Sequence, residues 1–85
     1  LAYRIEIDRR ALRSLKRLPN DARKRLVAAI DELAAEPRPG GVTKLTGREE
    51  WRVRIGDYRV IYTIDDTQQT VTVWKAGHRK DVYRR

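Results

Sequence analysis

Apolar and polar residues alternate at the start of the chain, with Tyr3, Ile5 and Ile7 set against Ala2, Arg4 and Glu6. That period of two predicts a strand buried on one side. The period then lengthens. Asp8 is placed to cap a helix whose apolar stripe is Ala11, Leu12, Leu15 and Leu18 and whose opposite face carries Arg9, Arg10, Arg13, Lys16 and Arg17. Pro19-Asn20-Asp21 ends this helix and caps a second, with Ala22, Leu26, Ile30 and Leu33 as its stripe, until Glu36-Pro37 stops it. So short a turn between two helices predicts an antiparallel hairpin.

The cluster Pro37-Arg38-Pro39-Gly40-Gly41 separates this helical half from a strand-rich half and is too short to link two domains. Beyond it Trp51 to Ile55 alternates, Gly56-Asp57 turns, and Tyr58 to Ile64 continues as a second strand. Asp65 to Gln69 turns again into Thr70 to Ala76. The expectation is a single α+β domain over residues 1–85. It has two layers: an N-terminal strand, a helical hairpin, then a three-stranded antiparallel meander that completes a four-stranded sheet.

The turn at Gly56-Asp57 fixes which side chains meet. With a two-residue loop, Ile55 faces Tyr58, Arg54 faces Arg59, Val53 faces Val60, Arg52 faces Ile61 and Trp51 faces Tyr62. Residues directly opposed in an antiparallel pair share a face. One face therefore collects Trp51, Val53, Ile55, Tyr58, Val60, Tyr62 and Ile64, which the helices can cover. The other collects Arg52, Arg54, Arg59, Ile61 and Thr63. Opposed like charges cost about 0.2–1 kcal/mol, which a sheet built for stability alone would avoid. Three converging guanidiniums predict an anion site. The plainer alternative is a solvated face of snorkelling arginines, one of them paired with Asp57 or Asp81.

Composition sharpens the anion reading. The formal net charge is +8 and the pI about 10.4, which points to nucleic acid or an acidic protein as partner. Arg outnumbers Lys among the 20 bases, and Arg suits bidentate phosphate contact. With 40% hydrophobic and 38% charged residues, the chain is too apolar for disorder and too charged for a membrane span. The absence of cysteine and the single His exclude a disulfide framework and a thiolate or imidazole metal cluster. No signal-peptide pattern opens the sequence, so a cytoplasmic address is the expectation. A chain of 85 residues buries only about 60–65% of its unfolded surface, so it gains stability from a partner.

The tail, Gly77-His78-Arg79-Lys80-Asp81-Val82-Tyr83-Arg84-Arg85, follows the last strand and can return across the open face. His78 is either a solvated side chain or a base kept neutral by neighbouring arginines, whose charge disfavours its protonated form. Tyr83 is either a packing anchor or a ring on which a nucleotide base stacks.

The run Trp51-Arg52-Val53-Arg54-Ile55-Gly56-Asp57-Tyr58-Arg59-Val60-Ile61-Tyr62, together with Gly77-His78-Arg79-Lys80-Asp81-Val82-Tyr83-Arg84, resembles the RelE branch of the RelE/ParE toxin superfamily. The likeness covers essentially the whole chain. It implies a RelE-like fold and a ribosome-dependent mRNA endoribonuclease, an mRNA interferase, neutralised by an antitoxin encoded beside it. Such toxins enter the ribosomal A site and cut mRNA without metal or cofactor. The 2′-hydroxyl attacks the adjacent phosphate to leave a 2′,3′-cyclic phosphate and a free 5′-hydroxyl. The partners so implied are the antitoxin, the A site and mRNA, with no membrane and no small-molecule substrate.

By the same resemblance Arg59 steadies the transition-state phosphate and Arg79 makes a second phosphate contact near the leaving group. Arg52 and Arg54 occupy positions where well-studied members have a pair of lysines that grip the RNA, Lys80 adds a further RNA contact, and Tyr83 orients the substrate nucleotide. Arg, with a pKa above about 12, is a poor general base, so proton transfer is expected of His78. The basic helix face from Arg9 to Arg17 is either solvated surface or a further contact to ribosomal RNA. Two other functions compete: a ParE-like inhibitor of DNA gyrase, and a ribosome- or RNA-binding module that blocks translation without cutting.

Overall fold

Asp8 makes the first turn of the chain. It ends strand β1 (Arg4–Ile7), and its carboxylate accepts a 3.1 Å hydrogen bond from the Arg10 backbone N–H to open helix α1 (Arg9–Arg17). The computed structural model describes residues 2–47 and 49–82. Helix α2 (Asn20–Glu32) follows with Pro19 at its N-cap and no side-chain capping bond. The expected Asn-Asp cap is therefore not made: the Asn20 side chain accepts from the Arg23 guanidinium instead. Pro19, whose ring holds φ near −55°, marks the break between the helices.

Among the described residues five strands form one sheet in the order β1-β5-β4-β3-β2, with β2 (Thr43–Lys44), β3 (Glu50–Ile55), β4 (Tyr58–Asp65) and β5 (Thr70–His78). The sheet thus has one strand more than the four expected. The addition is β2, whose two residues pair with Arg52 and Trp51 at the edge; a strand of two residues carries no period to read. β1 joins β5 in parallel, from Arg4 opposite Thr70 to Ile7 opposite Val73, a connection that needs the long crossover the helices supply. β3, β4 and β5 form the antiparallel meander. A short helix α3 (Arg79–Val82) follows β5.

Helices α1 and α2 cover one face only. Ala11 and Leu15 of α1 and Leu26, Ile30 and Leu33 of α2 pack against Val60, Tyr62, Val71, Val73 and Ala76; burying each large aliphatic side chain stabilises the fold by about 1.5–3 kcal/mol. Leu12, expected in this stripe, is 40% exposed, so the buried residues of α1 are Ala11 and Leu15, four apart, with Leu18 at the C-cap partly buried against the core. Tyr62 is fully buried and its hydroxyl donates to the Pro37 carbonyl at 2.7 Å. Burial pushes its pKa up to about 12. Beside it Arg38 pairs with Asp66 at 2.9 Å and lies 5.3 Å over the Trp51 ring, while the Tyr3 hydroxyl donates to Asp66 at 2.6 Å. These contacts close the proline-rich loop onto the sheet and leave the opposite face of β3 and β4 uncovered by α1 and α2. No helix among the described residues is long and apolar enough to cross a membrane.

Candidate functional site

The register of the β3–β4 hairpin is the one the apolar pattern predicts. Ile55 stands opposite Tyr58, Arg54 opposite Arg59, Val53 opposite Val60, Arg52 opposite Ile61 and Trp51 opposite Tyr62. Gly56 has φ +60° and Asp57 is not in the left-handed region, the signature of a type II′ turn with Gly at its first central position. Trp51, Val53, Ile55, Tyr58 and Ile64 pack against the core. Arg52, Arg54 and Arg59 therefore share the open face, with Arg54 and Arg59 directly opposed.

The three arginines differ in environment. Arg54 is exposed and Arg52 half-buried, whereas Arg59 is only 9% exposed. A buried guanidinium needs hydrogen bonds to offset its lost hydration. Arg59 Nη1 donates at 2.8 Å to the Gly56 carbonyl and at 2.8 Å to the Tyr58 carbonyl, which clamps the group against the turn. A guanidinium carries three further donors on Nε and Nη2, the edge that meets a phosphate bidentately.

The strand alternation of β5 sorts the tail residues. Gly77 stands opposite Arg59 and points to the open face, and a side-chain atom added there would lie 3.8 Å from Val82 Cγ2. The tail thus does return across the open face, as α3, with Val82 buried over Gly77. Arg79 begins that helix, its backbone N–H held by the Asp57 carbonyl at 2.8 Å, and Arg79 and Lys80 are both exposed. Tyr83 lies outside the described residues.

The structure does not bring His78 to the arginines. His78 stands opposite Tyr58, and the two rings meet edge to face with centroids 5.6 Å apart. Tyr58 packs on the helix-covered side, so the imidazole lies across the sheet from Arg59. Its Nδ1 accepts from the Lys80 backbone N–H at 3.1 Å.

Sequence reading missed one residue on the open face. A bulge opposite Ile61/Tyr62 inserts Trp74 into β5, and two residues of a bulged strand then oppose one of its partner. Trp74 shares the open side with Lys75, its indole N–H donating to Thr63 Oγ1 at 2.9 Å, and it is 43% exposed. The signal was present: the inward positions Val71 and Val73 are two apart, but the next, Ala76, is three further on. Beside this stretch an open cleft of about 1080 Å³ runs between α1 and the second half of β5. It is lined by Arg9, Arg10, Arg13 and Arg17 on one side and Trp74, Lys75 and His78 on the other.

The chain is similar to known proteins in both sequence and fold. Residues 5–83 match the family described as ParE toxin of type II toxin-antitoxin system, parDE. The chain is 35% identical to toxin RelG of Mycobacterium tuberculosis over 91 aligned positions, covering 100% of both chains. It superposes with a TM-score of 0.83 and 31% identity on a chain of the archaeal RelE-RelB complex from Pyrococcus horikoshii, over 95% of this chain and 99% of that one. The intact E. coli RelBE toxin-antitoxin complex gives a TM-score of 0.80 at 28% identity, over 91% and 96% of the two chains.

Proposed function

From the premise that this chain belongs to the ParE toxin family of type II toxin-antitoxin systems, in its RelE branch, we propose that it is a ribosome-dependent endoribonuclease that cuts mRNA in the A site. The observation that carries the reading is the direct opposition of Arg54 and Arg59 on the open face. Two like charges set across a ladder are unfavourable until an anion lies between them. A scissile phosphodiester is such an anion, and its negative charge grows as the 2′-hydroxyl attacks and the phosphorane forms.

In this mechanism Arg59 stabilises the developing charge. Its clamp on the turn carbonyls sets the guanidinium before substrate arrives, the preorganisation that makes such donors effective. Arg52 and Arg54 hold the RNA backbone and raise the acidity of the attacking hydroxyl by their field. Arg79 and Lys80, at the start of α3, contact the phosphates on the leaving-group side, and Tyr83 orients the nucleotide. Attack by the 2′-oxygen forms its bond to phosphorus as the bond to the 5′-oxygen breaks, giving the 2′,3′-cyclic phosphate and a 5′-hydroxyl. The neutralising partner is an antitoxin of the RelB kind, since the P. horikoshii and E. coli relatives are toxins held in complex with RelB.

Mapping 5′ ends in a reconstituted translation reaction tests the proposal. Cuts within the codon in the A site, dependent on ribosomes, are expected; intact mRNA would overturn it. The family description names ParE, which favours a gyrase inhibitor as the second reading. Gyrase-dependent DNA breaks alongside uncut mRNA would select that reading.

A further inference from the structure

The cleft between α1 and the second half of β5 is not used by the arginines of the proposed active face, yet it carries the features of an RNA groove. β1 pairs with β5 only as far as Val73; beyond that point the flank of β5 is bordered by α1, whose Arg9, Arg10, Arg13 and Arg17 form one wall. Among the described residues, five Arg and Lys line the cleft against three acids, Asp8, Glu50 and Asp81, and one of those acids is engaged in capping α1. A large aromatic ring stands in this basic channel. Trp74 is 43% exposed, and its indole is held in orientation by its N–H bond to Thr63. Burial does not explain the ring, and the bulge turns it outward next to Lys75.

We propose that this cleft is a second site for single-stranded RNA, in which a nucleotide base stacks on Trp74 while Lys75 and the α1 arginines hold the flanking phosphates. A basic track with an exposed aromatic face is the combination that grips single strands without regard to sequence. The site is continuous with the proposed active face. Thr63, which fixes Trp74, is four residues from Arg59 along β4, about 13 Å at the usual strand rise. A strand of RNA crossing the open face therefore passes from the arginines to the indole, so Trp74 fixes the register of the message or the seat of the toxin on ribosomal RNA. The inference rests on the reading of this protein as an RNA-directed toxin.

The probe is a 2′-O-methyl oligoribonucleotide of mixed sequence, which lacks the attacking hydroxyl and so stays intact, titrated against the full chain. Trp74→Ala is expected to weaken binding about 5- to 150-fold, the range that loss of one base stack produces, while Trp74→Phe stays close to the parent. Unchanged melting of Trp74→Ala shows that the fold is kept. The pair Arg13→Gln and Arg17→Gln is expected to reduce the salt slope by about 0.7 for each phosphate left without its cation. Photocrosslinking of Trp74 on programmed ribosomes separates the two RNA sources: a crosslink to message or to ribosomal RNA supports the site, and a crosslink to protein alone overturns it. Oligonucleotide affinity unchanged in Trp74→Ala, or lowered antitoxin affinity with RNA binding intact, also overturns it. A parent that cuts mRNA normally while Trp74→Ala binds as the parent does defeats this site alone. A parent that binds the oligonucleotide through Trp74 but never cuts defeats the nuclease reading alone.

Discussion

Arg59 Nη1 lies 2.8 Å from the carbonyl oxygen of Gly56, so the most buried arginine of the open face is anchored to the glycine that makes its own hairpin turn. Gly56 needs its φ of +60°, and a Cβ there would stand 3.0 Å from the Arg25 guanidinium of α2.

Gly56→Ala is therefore expected to strain the turn by about 1–3 kcal/mol and to loosen the Arg59 clamp. The turnover number for mRNA cleavage should fall while ribosome affinity changes little. A melting curve and a single-turnover cleavage assay read the two effects separately; a destabilised variant that cuts at the parental rate would detach the turn from catalysis.

Arg59→Lys keeps a positive charge but cannot bond two turn carbonyls from one nitrogen and still present a planar edge to phosphate. Cleavage is expected to drop about 100- to 1000-fold, the usual cost of removing one transition-state donor. Co-sedimentation with ribosomes should be retained. Loss of cleavage and of ribosome binding in equal measure would instead mark Arg59 as a binding residue.

His78→Gln is expected to cut within about threefold of the parent, because the imidazole lies on the Tyr58 side of the sheet, away from the arginines. The pH profile of cleavage should also be unchanged by the substitution. A deep loss of rate, with an arm of the profile removed, would restore the histidine to the proton-transfer role expected from its place in the sequence.

Tyr62 supplies a test in alkali. Its pKa is raised to about 12 by burial, against about 10 in the unfolded chain. The folded state holds the phenolic proton more tightly, so this stabilisation is complete below pH 10 and is lost as pH rises through 12. Two units correspond to roughly 2–3 kcal/mol. Denaturant midpoints from pH 9 to 12 should fall along that course in the parent. Tyr62→Phe should begin lower, with the Pro37 carbonyl deprived of its donor, and lack this component of the decline.

Much of this architecture was legible along the chain. The alternation from Trp51 to Ile64 specified the hairpin register, because a slip of one residue would have turned seven apolar side chains out and the arginines in. Asp8, Pro19 and Gly56 each carry a local backbone preference strong enough to mark a boundary. What the chain concealed were features made by single residues or by distant pairing. β2 has two residues and exists only because Arg52 and Trp51 offer it an edge. Trp74 faces outward through one extra residue in β5. His78 reads along the chain as part of a tail that returns across the open face, yet β5 runs on through His78 and successive strand residues point to opposite faces.

The sequence alone determined the two-layer fold, the strand order within the meander and the gathering of Arg52, Arg54 and Arg59 on one side, because local periodicity and a two-residue turn dictate all of these. Only the tertiary structure decided how deeply each arginine is buried, which face receives His78, and that α1 and β5 enclose a basic cleft around Trp74. Those outcomes follow from strand pairing and from the docking of α3 onto the open face, and such contacts between residues far apart leave no period in the chain.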